Sequence, residues 1–184
     1  MALPKLNSPT YQLELPSTGE KLKFRPFLIK EQKILMMAQE SGEDVQLFQA
    51  MKGLVTACTF GKVDAENSPV FDIEYLFLQI RAKSVGETTT INIICPDDGK
   101  TQVPYELNIE DISVNMTENH TNIVELTDAI KIHFRYPILS DMEGLKSGAS
   151  EMETLFHVIN NCVHEIHDGD DVYHRVDMSD KEID

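Results

Sequence analysis

The chain has 184 residues, 41% hydrophobic and 26% charged, the balance of a soluble globular protein long enough to bury a core. Its 16 Lys and Arg stand against 31 Asp and Glu, and the net charge of −15 disfavours binding to nucleic acid or to an anionic membrane. No run reaches the roughly 18 apolar residues of a membrane span, Met1 to Tyr11 lacks the features of a secretory signal, and the three cysteines (Cys58, Cys95, Cys162) fit a reducing cytoplasm better than a disulfide scaffold.

Tyr11 to Leu15 alternates apolar and polar residues, Pro16 to Glu20 is turn chemistry, and Lys21 to Phe24 alternates again. This predicts a β-hairpin, which Arg25-Pro26 ends because proline lacks the ladder donor. Lys30 to Glu40 follows as a short helix, with Ile34, Leu35, Met37 and Ala38 expected on its buried side and Ser41-Gly42 as its stop. A second helix, about Glu43 to Thr59, carries Leu47, Met51, Leu54, Val55 and Cys58 on one stripe, which makes Cys58 a buried small hydrophobe. After a polar loop, Ser68-Pro69 reads as an N-cap followed by proline at the first helical position. The third helix places Ile73, Leu76, Phe77 and Ile80 inward and ends at Ser84-Val85-Gly86.

From Thr88 the period switches to two. Thr88 to Ile94 is rich in β-branched residues, Pro96 to Lys100 is a turn, and Thr101 to Ile109 returns with Pro104 marking an edge or bulge. Ile123 to Leu126 and Ala129 to Tyr136 form a further hairpin. A helix from about Ser150 to His167 is expected to turn Leu155, Phe156, Ile159, Val163 and Ile166 inward, before a tight turn at Asp168 to Asp170 and a short strand from Val172 to Val176. No internal repeat is visible. Ser179 to Glu182 matches a capping box, so the natural chain is expected to continue beyond Asp184. The expected fold is α+β: an N-terminal β-hairpin, a three-helix layer, antiparallel β-hairpins and a C-terminal helix. Residues 1–86 would hold the hairpin and helical layer, and residues 87–184 the β-hairpins and last helix, within one compact unit.

Signals for chemistry are few. Cys95-Pro-Asp-Asp98-Gly at a hairpin tip resembles a zinc-ribbon knuckle in which Asp98 stands where the second thiolate belongs. Cys95 and Asp98 are weak metal candidates, and a degenerate zinc-ribbon-like nucleic-acid module is the outside alternative. His157, His164 and His167 sit at helical spacing, which suggests a solvated helix face, and His164-Glu-Ile-His167 does not match the zinc-protease spacing. Asp168-Gly-Asp170-Asp171 lacks the later ligands of a calcium loop. There is no phosphate loop and no nucleophile elbow, so no catalysis and no cofactor are expected.

Three segments together resemble one family: FRPFLIKEQKILMMA from Phe24, FDIEYLFLQIRAKSVGE from Phe71 and NCVHEIHDGDDVY from Asn161. In this order they resemble the baseplate hub subunits of T4-type contractile-tailed bacteriophages. The resemblance implies a structural or assembly protein that binds other hub or tape-measure proteins, made in the infected cell's cytoplasm and placed in the virion tail. Persistence in the particle and a transient chaperone role are both open. Some relatives carry a fuller Cys-x-x-Cys at the hairpin tip, and this chain departs there with Asp98. On the third helix, Phe71, Tyr75 and Leu78 form a second apolar stripe, and Tyr75 and Phe77 lie roughly 200° apart. These three residues are the partner-binding candidates, with Arg81 and Lys83 setting register by pairing with acidic groups. The charge is uneven: 7 basic and 6 acidic residues over 1–60, against 9 and 25 over 61–184. The acidic part would keep an unassembled tail component soluble or steer it to a basic partner.

Overall fold

The computed structural model describes residues 8–142 and 150–178. Two compact units divide the chain, Met1–Val114 and Asn115–Asp184. The architecture is α+β, with antiparallel strands throughout.

In the first unit, β1 (Tyr11–Glu14) pairs with β2 (Lys21–Phe24), and alternation buries Leu22 and Phe24. Gly19 closes the turn with positive φ, its N–H donating to the Leu15 carbonyl at 2.7 Å. Helices α1 (Ile29–Ser41), α2 (Asp44–Cys58) and α3 (Val70–Val85) follow. The core gathers Leu54, Val55 and Cys58 from α2 with Ile73, Leu76 and Ile80 from α3, as their spacing predicts. The turn of the first hairpin and the segment that follows β2 strap α3 at its two ends. Ser17 donates its N–H (3.0 Å) and its hydroxyl to the buried Asp72 carboxylate, and Phe27 N–H donates to Ser84 Oγ at 2.9 Å. Pro69, not Ser68, occupies the N-cap of α3. The Ser68 hydroxyl is drawn back to the Asp64 carbonyl (2.6 Å), so no side chain caps this helix. Strands β3 (Thr88–Ile94) and β4 (Gln102–Asn108) make a two-stranded sheet, in which Pro104 lies on a strand with a free edge. Ile91 faces Tyr105 and Ile93 faces Val103 across it, and all four are exposed.

In the second unit the strand order is β5 (Ile123–Glu125), β6 (Ile130–Phe134), β7 (Val163–Asp168), β8 (Asp171–His174). A short α4 (Leu139–Met142) precedes α5 (Glu151–Cys162). Ser150 and Glu153 cap α5 reciprocally, the Glu153 N–H donating to Ser150 Oγ at 3.2 Å and the Ser150 N–H to Glu153 Oε2 at 2.8 Å. The single helix expected to run to His167 stops at Cys162, because the segment from Val163 pairs with β6 and its Glu165–Asp168 part with β8 as well. The capping box at Ser179 to Glu182 lies outside the described residues.

One local device appears in both units, although no repeat is visible in the sequence. Arg25 leaves β2, its N–H donates to the Cys58 carbonyl at the end of α2 (3.0 Å), and its guanidinium pairs with Glu31 six residues on (2.9 Å). Glu31 also accepts the Leu28 N–H at the start of α1. Arg135 leaves β6, its N–H donates to the Cys162 carbonyl at the end of α5 (2.8 Å), and its guanidinium pairs with Asp141, again six residues on (2.6 Å). Asp141 likewise accepts the Ile138 N–H at 2.8 Å, and each arginine also donates to the carbonyl of the residue after it.

This device explains two departures from periodicity. Glu31 must face Arg25, so the buried face of α1 runs Glu31, Leu35, Ala38. Ile34 and Met37 then turn roughly 60° and 120° away and are 55% and 59% exposed, rather than inward. In α5 the Cys162 and Asn161 carbonyls both accept from Arg135, and the covered face runs Thr154, His157, Val158, Asn161, Cys162. Leu155, Phe156 and Ile159 therefore stand outward, with Phe156 58% exposed.

Burial alone would raise the carboxyl of Glu31, but the Arg25 and Leu28 hydrogen bonds outweigh it and hold it below the usual range. The same balance lowers Asp141, with Arg135 and Ile138 as donors. A depressed carboxyl stabilises the fold above the unfolded pKa of about 4.3 for Glu, and that contribution is lost as pH falls through the folded value. Urea unfolding of Glu31→Gln should show a shallower acid-side loss of stability than the wild type. Arg25→Ala should cost about 3–5 kcal/mol, since it leaves a buried charge unpaired. Arg135→Ala should cost less, because that side chain is 35% exposed against 15% for Arg25.

Candidate functional site

The partner-binding candidates share α3. Phe71, Tyr75 and Leu78 are each half-buried, between the buried row Ile73, Leu76, Ile80 and solvent. Arg81 donates to Thr89 Oγ1 at 3.4 Å, while its other terminal nitrogen is buried with no hydrogen-bond partner. Lys83 bridges Glu87 (2.6 Å) and Glu110 and lies over the Tyr11 ring, 5.5 Å from its centroid. Glu87 and Glu110 flank the β3–β4 hairpin, so Lys83 clamps its base.

At the tip of that hairpin, Asp98 is consumed by its own turn. One oxygen accepts the Lys100 and Thr101 N–H groups, both at 2.9 Å, and the other accepts the Thr101 hydroxyl. The Thr101 hydroxyl is the largest cause that holds its carboxyl down at about 2. Among the described residues no third ligand gathers with Cys95 and Asp98.

A different constellation lies on the second unit's sheet. Register sets His133 of β6 opposite Glu165 of β7, and Glu165 opposite His174 of β8. Directly opposed residues share a face, and His167, two positions on from Glu165, shares it too. His167 Nε2 lies 3.0 Å from Glu165 Oε2, and His174 Nδ1 lies 3.2 Å from Glu165 Oε1. The His133 and His167 rings stack with centroids 4.1 Å apart. A bulge where β6 meets β7 brings His164 Nε2 within 3.6 Å of Glu165 Oε1 as well. The His167 hydrogen bond is the main cause that lowers the Glu165 carboxyl; burial opposes it, and His174 and His164 add to it. Among the described residues, His133, Glu165 and His167 are the one group of three whose ligand atoms all lie within 4.8 Å of one another.

Helical spacing of His157, His164 and His167 misses this gathering, because only His157 is on a helix. The local signal that could have found it is the alternation Glu165, Ile166, His167, which fits a strand with one polar face. The partners on β6 and β8 depend on register and are not readable locally.

Cys58 and Cys162 end their helices as buried thiols, and burial is the main cause that pushes Cys58 up to about 11 and raises Cys162. In native protein at pH 8, iodoacetamide should label the half-buried Cys95 first and leave Cys58 and Cys162 largely unmodified, as read by peptide mass spectrometry.

Among the described residues no helix is long and apolar enough to cross a membrane. No curated protein and no solved structure matches the chain. The family model described as T4 bacteriophage base plate protein matches residues 8–184, nearly all of the sequence. The chain therefore belongs to the T4 bacteriophage base plate protein family.

Proposed function

We propose that this protein is a baseplate hub component that works by protein–protein binding during tail morphogenesis, and not by catalysis. The observation that carries the proposal is the family match over residues 8–184. The surface supports it. On α5, Met152, Leu155, Phe156 and Ile159 recur at three and four residues and are all exposed, which is an apolar stripe of the kind used for association. On α1 and α2, Ile34, Met37 and Val45 add a second exposed apolar group. The half-buried Phe71, Tyr75 and Leu78 on α3 would contribute contact area, with Arg81 and Lys83 positioned beside them. The partners expected are other baseplate hub or tape-measure proteins, met in the host cytoplasm during assembly.

The excess of acidic residues beyond residue 60 supports a second version, a chaperone that holds hub or tape-measure components and leaves. Mass spectrometry of purified virions separates the two, since a chaperone is missing from the finished particle.

Co-expression with each hub protein, followed by pull-down, should recover at least one stable complex. Phe156→Asp should weaken that complex about tenfold or more while leaving the far-UV circular dichroism unchanged. Retention of the complex would assign the contact to another face, and loss of folding would show that the ring belongs to the core.

A further inference from the structure

We propose that His133, Glu165 and His167 form a binding site for a divalent transition-metal ion of the zinc class, with His174 as a fourth ligand. Two imidazoles and one carboxylate suit such an ion, whereas calcium and magnesium prefer a shell of oxygens. The three come from adjacent strands whose register fixes their common face. Each is half-buried, which limits competition from water while leaving an approach.

The distances fit closure onto one ion. Bonds of about 2.0–2.1 Å in a tetrahedron set ligand atoms roughly 3.3 Å apart. His167 lies 3.0 Å from Glu165 Oε2 and His174 3.2 Å from Glu165 Oε1, each close to that spacing but to a different carboxylate oxygen. Within the group His133, Glu165 and His167 every separation is at most 4.8 Å, which side-chain rotation would close onto one ion, and His174, outside that group, would swing in from its place beside Glu165. His167 and His174 each direct a ring nitrogen at a Glu165 oxygen, and a ring N–H donated there must leave or shift to the other ring nitrogen when the metal binds. Lys131, the nearest lysine on this face, is held by Glu125 at 2.6 Å, so its charge is partly neutralised. The acidic turn Asp168 to Asp171 at one end of β7 favours a cation electrostatically. Such an ion would pin β6, β7 and β8 together and stabilise the second unit by its binding free energy.

The test uses the full chain without a histidine tag. Titration with Zn²⁺ should show one ion bound per chain and a rise in Tm. Co²⁺ substitution should give visible d–d absorption without a thiolate charge-transfer band. His167→Gln and His133→Gln should each lower Zn²⁺ affinity roughly 100-fold or more, whereas His120→Gln should leave it unchanged. Should a variant fail to fold, NMR of the wild-type imidazole resonances during Zn²⁺ titration gives the same answer, with His133 and His167 shifting first. Absence of stoichiometric binding overturns the proposal. So does binding that survives the His133→Gln/His167→Gln pair, or a thiolate band that places the ion at Cys95.

Discussion

The paired arginine–carboxylate clamps are the constraint on which both units depend. In each, one arginine ties the end of a strand, the start of the next helix and the last carbonyl of a later helix into one hydrogen-bonded knot. A buried ion pair is a weak source of net stability, because desolvation cancels much of the attraction. Its power lies in direction. The carboxylate must meet the guanidinium, so the helix bearing it can present only one face, and hydrophobic side chains take whatever positions remain. The same knot, built from Arg25, Glu31 and Cys58 and again from Arg135, Asp141 and Cys162, shows that the units solve one packing problem in one way.

That priority of polar geometry over apolar periodicity accounts for the character of the surface. A protein that existed only to be stable would turn Ile34, Met37, Leu155 and Phe156 inward. Here the clamps hold them out. In a chain of the base plate family, such outward apolar side chains fit the binding role we propose, since association draws on apolar area removed from water. The acidic excess offsets the resulting tendency to self-associate, because like-charged copies repel before their proper contacts form.

Legibility in the sequence followed range. The hairpin at Tyr11–Phe24, the α2 stripe, the β3–β4 pair and the Gly42 stop rest on neighbours a few residues apart, and alternation or spacing suffices to find them. The α1 face did not follow from spacing, because an arginine on the preceding segment selected it. The segment from Val163 to His167 satisfies a helical period as well as a strand period, and only the ladders to β6 and β8 decide between them. The histidine and glutamate row was hidden for the same reason: His133 lies more than thirty residues before Glu165 and His167, and they meet through register. The α3 candidates were legible as a stripe, and their half-buried state agrees with a helix apolar nearly all round.

The β3–β4 hairpin has a mechanical consequence. Two strands with an open apolar face fall short of independent stability in water, yet Ile91, Ile93, Val103 and Tyr105 have only one another to pack on within the sheet. Lys83, bridging Glu87 and Glu110, and Arg81, reaching Thr89, secure it at the base. The structure thus has the form of a cantilever, fixed at the root and reaching out to Cys95 and Asp98. A beam of this kind stiffens when its far end is gripped, so the rigidity of this part of a base plate would be a property of the joint and not of the isolated subunit.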